Sequence, residues 1–165
     1  MIFDITTFTL IHTLISLVGI TSGLVVMGGL MAGKRLDGWV GLFLVTTALT
    51  SITGFGFPFT QLIASHYVGA ISLLILPPVI YARYRKHLLG SWRGVFVVGT
   101  ALTLYLNFFV LVVQLFQKVP ALLVSAPTQK EPPFVITQLL VLGMFAILSL
   151  AAFKKFPQQV SRPPR

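Results

Sequence analysis

The feature that most constrains this chain is a series of five long apolar runs separated by short polar connections. The runs cover residues 6–31, 39–57, 61–82, 93–117 and 134–153. Each run is long enough to cross the roughly 30 Å hydrocarbon core of a membrane as a helix. Because the runs lack the alternating polarity of barrel strands, helices are the remaining way to satisfy their backbone groups in lipid. The runs therefore predict an all-α protein, an integral membrane five-helix transmembrane bundle.

The composition leaves no room for a separate soluble domain. Charged residues make up 9% of the 165-residue chain, whereas soluble domains carry about 25%. We expect a single transmembrane domain over residues 1–155 and a mobile cytoplasmic tail over 156–165, with no nucleic-acid partner. The first apolar run is too long for the core of a signal peptide, and we interpret it as a retained helix. The absence of cysteine excludes disulfides and thiolate catalysis.

Basic residues alternate from one connection to the next, and this pattern predicts the orientation. Ten of the twelve Lys and Arg residues fall at 34–35, at 83–93 or after residue 153. The connections around 56–60 and 118–133 are poor in basic charge. Since basic residues collect in cytoplasmic loops, we expect the N-terminus outside and the C-terminus in the cytoplasm.

Proline marks two segments as irregular. Pro77 and Pro78 lie within the third run, where two missing backbone donors predict a kink or a break. Segment 118–133 is the longest connection and is also rich in proline. Its apolar stretch 121–124 favours a lid folded over the outer mouth of the bundle. The alternative is a loop lying in the headgroup layer.

Polar side chains within the runs gather in the outer half of the predicted bundle. His12 and His66 each lie about six residues inside the membrane boundary, a depth of roughly 9 Å. No Asp or Glu lies inside any run. A site near the outer face is therefore expected, with these candidate ligand-lining residues: Gln114, Gln138, Asn107 and Thr53.

The two histidines suggest one specific cofactor. Neutral imidazole is a good iron ligand, and His12 and His66 at one depth would hold a b-type haem from both sides. Gly19 and Gly69 would then let the porphyrin approach their helices, and Lys118 or Lys130 would meet its propionates. In the alternative interpretation, the histidines are packed polar residues, and Gly19 to Gly23 is a GxxxG motif for helix packing or self-association.

Three stretches of the sequence resemble those of a known group of proteins. Residues 50–58 (TSITGFGFP), 65–73 (SHYVGAISL) and 118–134, from KVPAL to APTQKEPPF, resemble a group of small multi-pass membrane proteins of proteobacteria. The likeness covers about residues 8–153 and implies a multi-pass protein of the bacterial inner (plasma) membrane, without implying an activity. In its number of spans and its intramembrane His, the chain also resembles small b-type membrane cytochromes.

Three classes of function remain from the sequence. The first is a bis-His haem or quinone-linked redox protein, in which His12 and His66 are the iron ligands. The second is a non-enzymatic accessory or binding protein that holds a lipid-like or small apolar ligand, or a partner subunit. The third is a transporter or channel. Expected partners are the lipid bilayer and a second copy or a membrane complex. No nucleophile, base and acid set supports group transfer.

Overall fold

The protein is a bundle of helices. The computed structural model describes residues 5–57 and 64–157, and all regular secondary structure within those ranges is helical. The helices are α1 (Ile5–Met31), α2 (Asp37–Gly54), α3 (Ala64–Ile80), α4 (Trp92–Lys118), α5 (Pro120–Ser125) and α6 (Pro132–Lys155), and α3 continues as a π-helical turn at Tyr81–Arg85. The start of the predicted third run at 61–63 and most of the predicted tail, 158–165, lie outside the described residues.

Four helical segments are long and apolar enough to cross a membrane. They are Ile5–Met31, Ser65–Arg85, Trp92–Lys118 and Pro132–Lys155. The predicted second crossing, α2, is not among these four. It has 18 residues, begins with Asp37 and contains the hydroxyl residues of its TSIT sequence, which lower its mean hydropathy. The membrane-protein class is thus supported, with four of the five predicted crossings.

Consecutive long helices run antiparallel. Along α1 and α2, His12 contacts Thr53, and a Cβ on Gly19 would meet Thr46. In the same way α4 and α6 pair from Phe116 with Phe134 at one end to Arg93 with Phe153 at the other. Helices therefore begin and end at two opposite ends of the bundle.

One end of the bundle collects basic side chains. The Arg83 guanidinium donates to the Asp37 carboxylate, joining the end of α3 to the start of α2. Arg93 Nη1 donates to the Phe153 and Phe156 carbonyls at 2.7 and 2.5 Å, joining α4 to the end of α6. We call this the basic end, and the opposite one, with His12 and His66, the histidine end.

The proline pair does not break α3. Pro77 and Pro78 both lie inside the helix, and the π-helical turn begins at Tyr81. Within that turn, Lys86 N donates to Tyr81 O at 3.0 Å, a bond across five residues. A wider turn is one way in which a helix accommodates lost donors and a crowded proline ring. The predicted irregularity therefore appears after the prolines and leaves the helix continuous.

Segment 118–133 packs beside the bundle. It contains the short helix α5, and Ala126 is fully buried against the C-terminal part of α4 and the start of α6. Gln129 Nε2 also donates to Val113 O at 3.1 Å. Of this segment, Lys118 alone lines the large cavity described below. The apolar stretch thus finds its burial on the flank formed by α4 and α6, which differs from the lid predicted from the sequence.

The turn before α6 is built around one carboxylate. Glu131 accepts hydrogen bonds from Thr128 Oγ1 at 2.8 Å, Thr128 N at 3.1 Å and Lys130 N at 3.0 Å. Desolvation raises the pKa of Glu131, but the hydrogen bonds to its ionised form together outweigh it and hold the pKa below its ordinary value.

Packing differs between the two halves of the bundle. The main core, with Phe43, Phe96 and Leu104 almost fully buried, lies in the half towards the basic end. Towards the histidine end, helices α1 to α4 enclose a cavity.

Candidate functional site

The cavity at the histidine end has a volume of about 490 Å³ and is lined by residues of α1, α2, α3 and α4. Both His12 and His66 line it. Pockets for small molecules in proteins usually measure about 300 to 1,000 Å³. The two imidazoles predicted to share one depth thus border one space of ligand size.

Each of the helices α1 to α4 contributes one face to this cavity. On α1 the lining residues recur at helical spacing from Thr9 to Ile20, and on α4 they do so from Asn107 to Lys118. Most of the lining surface is apolar. These polar side chains interrupt it: Thr9, His12, Thr13, Ser16, Thr50, Ser51, Ser65, His66, Ser72, Asn107, Gln114 and Lys118.

His12 is held in place by α2. Its Nδ1 lies 2.8 Å from Thr53 Oγ1, and the same hydroxyl donates to Leu49 O at 2.7 Å. Because a hydroxyl has one proton, Thr53 accepts from His12, and we assign the imidazole proton to Nδ1. The Nε2 atom of His12 is then the ring's hydrogen-bond acceptor.

His66 lies on α3, which packs against α2, and it is more deeply buried than His12. Its side chain is 5% exposed, and its ring packs against Phe55 with centroids 5.6 Å apart. Gly69, one turn further along α3, also lines the cavity. A Cβ at Gly69 would lie 3.3 Å from Phe55. This glycine therefore serves the packing of α3 on α2 as well as the cavity wall.

Two of the predicted lining amides border the cavity. Asn107 Nδ2 donates to Thr47 Oγ1 at 3.3 Å, which ties α4 to α2 and leaves the Asn107 carbonyl oxygen as an acceptor. Gln114 lies two turns further along α4, and among the described residues its carboxamide has no hydrogen-bond partner. The cavity therefore offers both donors and acceptors on the α4 side.

The other two predicted lining residues have different roles. Thr53 positions His12 and is not itself part of the cavity wall. Gln138 is buried between α6 and α4, where its Nε2 donates to Phe109 O at 3.2 Å. Gln138 thus belongs to a helix interface, because its position on α6 faces the flank of α4 away from the cavity.

Gly19 and Gly23 serve helix packing. A Cβ at Gly19 would lie 3.2 Å from Thr46 Oγ1, and one at Gly23 would lie 2.5 Å from Leu104 Cδ1. Both glycines are buried within the bundle and neither lines the cavity. The small face of α1 is therefore filled by α2 and α4, as in the helix-packing interpretation of the GxxxG motif.

Charge is nearly absent from the cavity wall. Among the lining residues, Lys118 is the one with a permanent charge, and no carboxylate is present. The exposed lining residues are Thr13 and Leu17 on α1, and Leu115 and Lys118 on α4. The cavity therefore opens at the surface of the bundle between α1 and α4. Such a site is suited to an uncharged molecule with an apolar body and a polar head.

Metal binding by protein ligands alone has little support in the described residues. No group of three or more His, Cys, Asp or Glu side chains within 5–57 and 64–157 is arranged to hold a metal ion. His87, the remaining histidine, lies exposed at the basic end with φ of 51°. Two imidazoles are the available ligand set at the cavity.

Sequence reasoning missed several serine and threonine residues of the wall. Thr9 and Thr13 recur with His12 and Ser16 on one face of α1, and Ser72 continues the face of His66 and Gly69. A polar stripe at helical spacing inside an apolar run was the signal that would have identified them. These hydroxyls also bond within their own helices, as Ser16 Oγ does to His12 O at 2.7 Å.

Comparison with known proteins gives no match. No protein-family description, curated protein or solved structure is detectably similar to this chain.

Proposed function

We propose that the protein is a non-enzymatic membrane protein that binds a small, uncharged amphipathic molecule in the cavity at the histidine end. One observation carries the proposal. Three helices, α1, α3 and α4, bring His12, His66, Asn107 and Gln114 to the wall of a single cavity that is otherwise mainly apolar. An apolar cavity with a few convergent polar groups is the usual form of a ligand site.

The hydrogen-bonding groups favour a ligand with a hydroxyl head. His12 Nε2 is an acceptor because Thr53 fixes the proton on Nδ1. A ligand hydroxyl donates to Nε2, while its oxygen can accept from the Gln114 carboxamide. Since the wall has no carboxylate and Lys118 lies at the exposed edge, a charged head would lose its hydration without compensation.

The side of entry follows from the exposed part of the wall. Leu17 and Leu115 are 46% and 42% exposed and lie at the opening between α1 and α4. In a membrane these side chains face lipid, so the ligand enters laterally with its apolar body in the hydrocarbon region.

Two matched probes test this proposal, 4-nonylphenol and its methyl ether 4-nonylanisole, in which a methyl group replaces the hydroxyl hydrogen. The wild-type protein in neutral detergent is expected to bind the phenol about tenfold more tightly than the ether, because a buried acceptor loses its partner with the ether. His12→Phe should abolish this difference, and His87→Ala should retain it. Comparing variants with the same probe pair cancels the unequal partitioning of the probes into micelles. An equal preference in wild type and His12→Phe would reject the proposal.

The membrane placement that we propose has five crossings, with the N-terminus outside and the basic end in the cytoplasm of a bacterial inner membrane. At 18 residues, α2 is about 27 Å long, close to the hydrocarbon thickness, and it pairs antiparallel with α1. The clustering of Lys34, Arg83, Arg93 and Lys155 at one end agrees with the accumulation of basic residues in cytoplasmic loops.

A b-type haem is the second candidate ligand, and one observation favours it. His12 and His66 border the same cavity, and His12 donates from Nδ1 to Thr53, as metal-ligating histidines commonly donate from their second nitrogen. Bound haem would supply one-electron redox chemistry, and these two imidazoles would hold its iron. The face of α1 at Gly19 and Gly23 is already filled by neighbouring helices, which is why the haem ranks second.

An absorption spectrum of the purified protein separates the two candidates. A haem protein would show a Soret band that disappears in His12→Ala or His66→Ala and persists in His87→Ala. A preparation that retains no Soret band after haem is added and the unbound haem is removed would exclude the haem candidate and leave the amphipathic ligand.

A further inference from the structure

Arg83 at the basic end is a buried cation with unused hydrogen-bond donors. Its side chain is 5% exposed, and its guanidinium donates from Nη2 to Asp37. Among the described residues, its Nε and Nη1 atoms have no hydrogen-bond partner. Its Cζ lies 5.8 Å from the centre of the Phe96 ring. Since unpaired donors of a buried charge are costly, a missing acceptor is indicated at this place.

A small pocket adjoins Arg83. Its volume is about 10 Å³, which is room for about one oxygen-sized atom. Besides Arg83, its lining includes Lys34, Arg35 and Leu36 from the α1–α2 connection, and Phe156 after α6. Lys34 and Arg35 are exposed, so the pocket adjoins the surface at two further cations.

The charge balance at this pocket favours an anion. Lys34, Arg35 and Arg83 carry three positive charges, and Asp37 contributes one negative charge through its contacts with both arginines. Water in the pocket would satisfy a donor without reducing the excess positive charge. A phosphate oxygen would do both, because guanidinium groups form strong, charge-assisted bonds with phosphate.

We propose that this pocket binds the phosphate of an anionic phospholipid, with one phosphate oxygen inserted at Nε and Nη1 of Arg83. The rest of the headgroup lies outside the pocket beside Lys34 and Arg35. The site is at the end of apolar helices that are long enough to span a membrane, which is the level of lipid phosphates. Basic pockets between membrane helices are known to take such headgroups. This inference rests on the membrane class alone and is independent of the ligand at the histidine end.

Short-chain lipids provide the test. The full-length protein in uncharged detergent is titrated at constant ionic strength with dihexanoyl-phosphatidylglycerol, dihexanoyl-phosphatidylcholine or inorganic phosphate, and the thermal unfolding midpoint is followed. The wild type should bind phosphatidylglycerol about tenfold more tightly than phosphatidylcholine, because both lipids carry the phosphate but the choline cation of phosphatidylcholine would lie beside Lys34 and Arg35. Inorganic phosphate should stabilise it less than phosphatidylglycerol does. Equal stabilisation by inorganic phosphate would overturn the lipid assignment.

Two arginines of one turn form a matched pair of variants. Arg83→Gln should reduce the preference for phosphatidylglycerol to within twofold. Arg85→Gln removes the same charge from an exposed position of the same turn and should leave the preference intact. An equal loss in both variants would show diffuse attraction to the basic end and would overturn the proposal.

A third variant covers the possibility that Arg83→Gln does not fold. Lys34 is exposed, so Lys34→Gln should fold, and it should weaken phosphatidylglycerol binding by about fivefold. Full retention of the preference in Lys34→Gln would contradict the site. Wild-type protein with no preference between the two lipids would also contradict it.

Discussion

Replacing Thr53 with valine tests how His12 is prepared for a ligand. The variant keeps the branched shape of the side chain and removes the oxygen that lies 2.8 Å from His12 Nδ1. The imidazole then has no partner on α2 for its Nδ1 proton. Hydrogen bonds between membrane helices contribute about 0.6 to 2 kcal/mol. Because His12 is half-buried, we expect a loss of about 1 kcal/mol in the free energy of unfolding.

The same variant should also weaken ligand binding, because it changes the tautomer of His12. Without Thr53 the imidazole proton can occupy Nδ1 or Nε2, and only the first tautomer accepts a ligand hydroxyl. If the two tautomers become about equally populated, the apparent affinity for 4-nonylphenol falls about twofold. The affinity for 4-nonylanisole should not change. Thr53→Val should therefore lie between wild type and His12→Phe in its preference for the phenol.

Equilibrium unfolding in mixed micelles and probe titration measure these two effects. Thr53→Ser keeps the hydroxyl and is the matched control, so it should resemble wild type in phenol preference. An equal loss of preference in Thr53→Ser and Thr53→Val would assign the effect to packing of the methyl group. A Thr53→Val variant with wild-type stability and wild-type preference would refute the assigned hydrogen bond.

Three further predictions follow from other parts of the bundle. Gly23→Ala should lower the free energy of unfolding by about 1 to 3 kcal/mol, because its Cβ would lie 2.5 Å from a neighbouring side chain. A Cβ at Gly28 would have no neighbouring atom within 4 Å, so Gly28→Ala should be neutral or slightly stabilising in the same unfolding assay. The pKa of Glu131 is lowered in the folded protein. The ionised carboxylate therefore stabilises the fold above its ordinary pKa, and this stabilisation is lost as the pH falls through the lowered pKa. The thermal unfolding midpoint should therefore decrease less on acidification in Glu131→Gln than in wild type. The chain has no cysteine, so Lys34→Cys and Thr60→Cys each introduce a single thiol whose labelling in whole cells reports the membrane topology. With a membrane-impermeant thiol reagent, Thr60→Cys should be labelled and Lys34→Cys protected, and equal labelling would contradict a crossing by α2.

The sequence was sufficient to predict the helices and the position of the polar groups along them. Hydropathy located the ends of the long helices to within a few residues. Their helical structure follows because an apolar run in lipid must satisfy its backbone hydrogen bonds internally. Counting residues from the run boundaries placed His12 and His66 at one level, and both line one cavity. Depth along a helix follows directly from residue number.

The rotation of each helix could not be predicted as well. Gly19 and Gly23 carry a pattern that suits helix packing and ligand approach equally, and the difference depends on bulky partners such as Leu104 and Phe43 on other helices. Gln138 was expected at the cavity because its depth is suitable, but it faces α4 from the α6 side. In an evenly apolar helix, little in the sequence identifies the face that turns inward.

The burial of segment 118–133 and of Arg83 also could not be predicted from the sequence. The burial of Ala126 depends on a surface that α4 and α6 form together, and no local pattern in the segment predicts that surface. Arg83 resembled the other basic residues of its connection, yet it is 5% exposed while Arg85 is exposed. Arg83 lies within the π-helical turn that follows the two prolines, and no local pattern in the sequence predicts that turn.

Nitrogen NMR of the imidazoles is the most direct test of the ligand site. The chain has three histidines, so His12→Phe, His66→Phe and His87→Ala assign every signal in protein labelled with ¹⁵N-histidine. We predict that His12 carries its proton on Nδ1, and that 4-nonylphenol shifts the Nε2 signal of His12 while the signals of His87 stay unchanged. A proton on Nε2 of His12, or a shift at His12 no larger than that at His87, would contradict it.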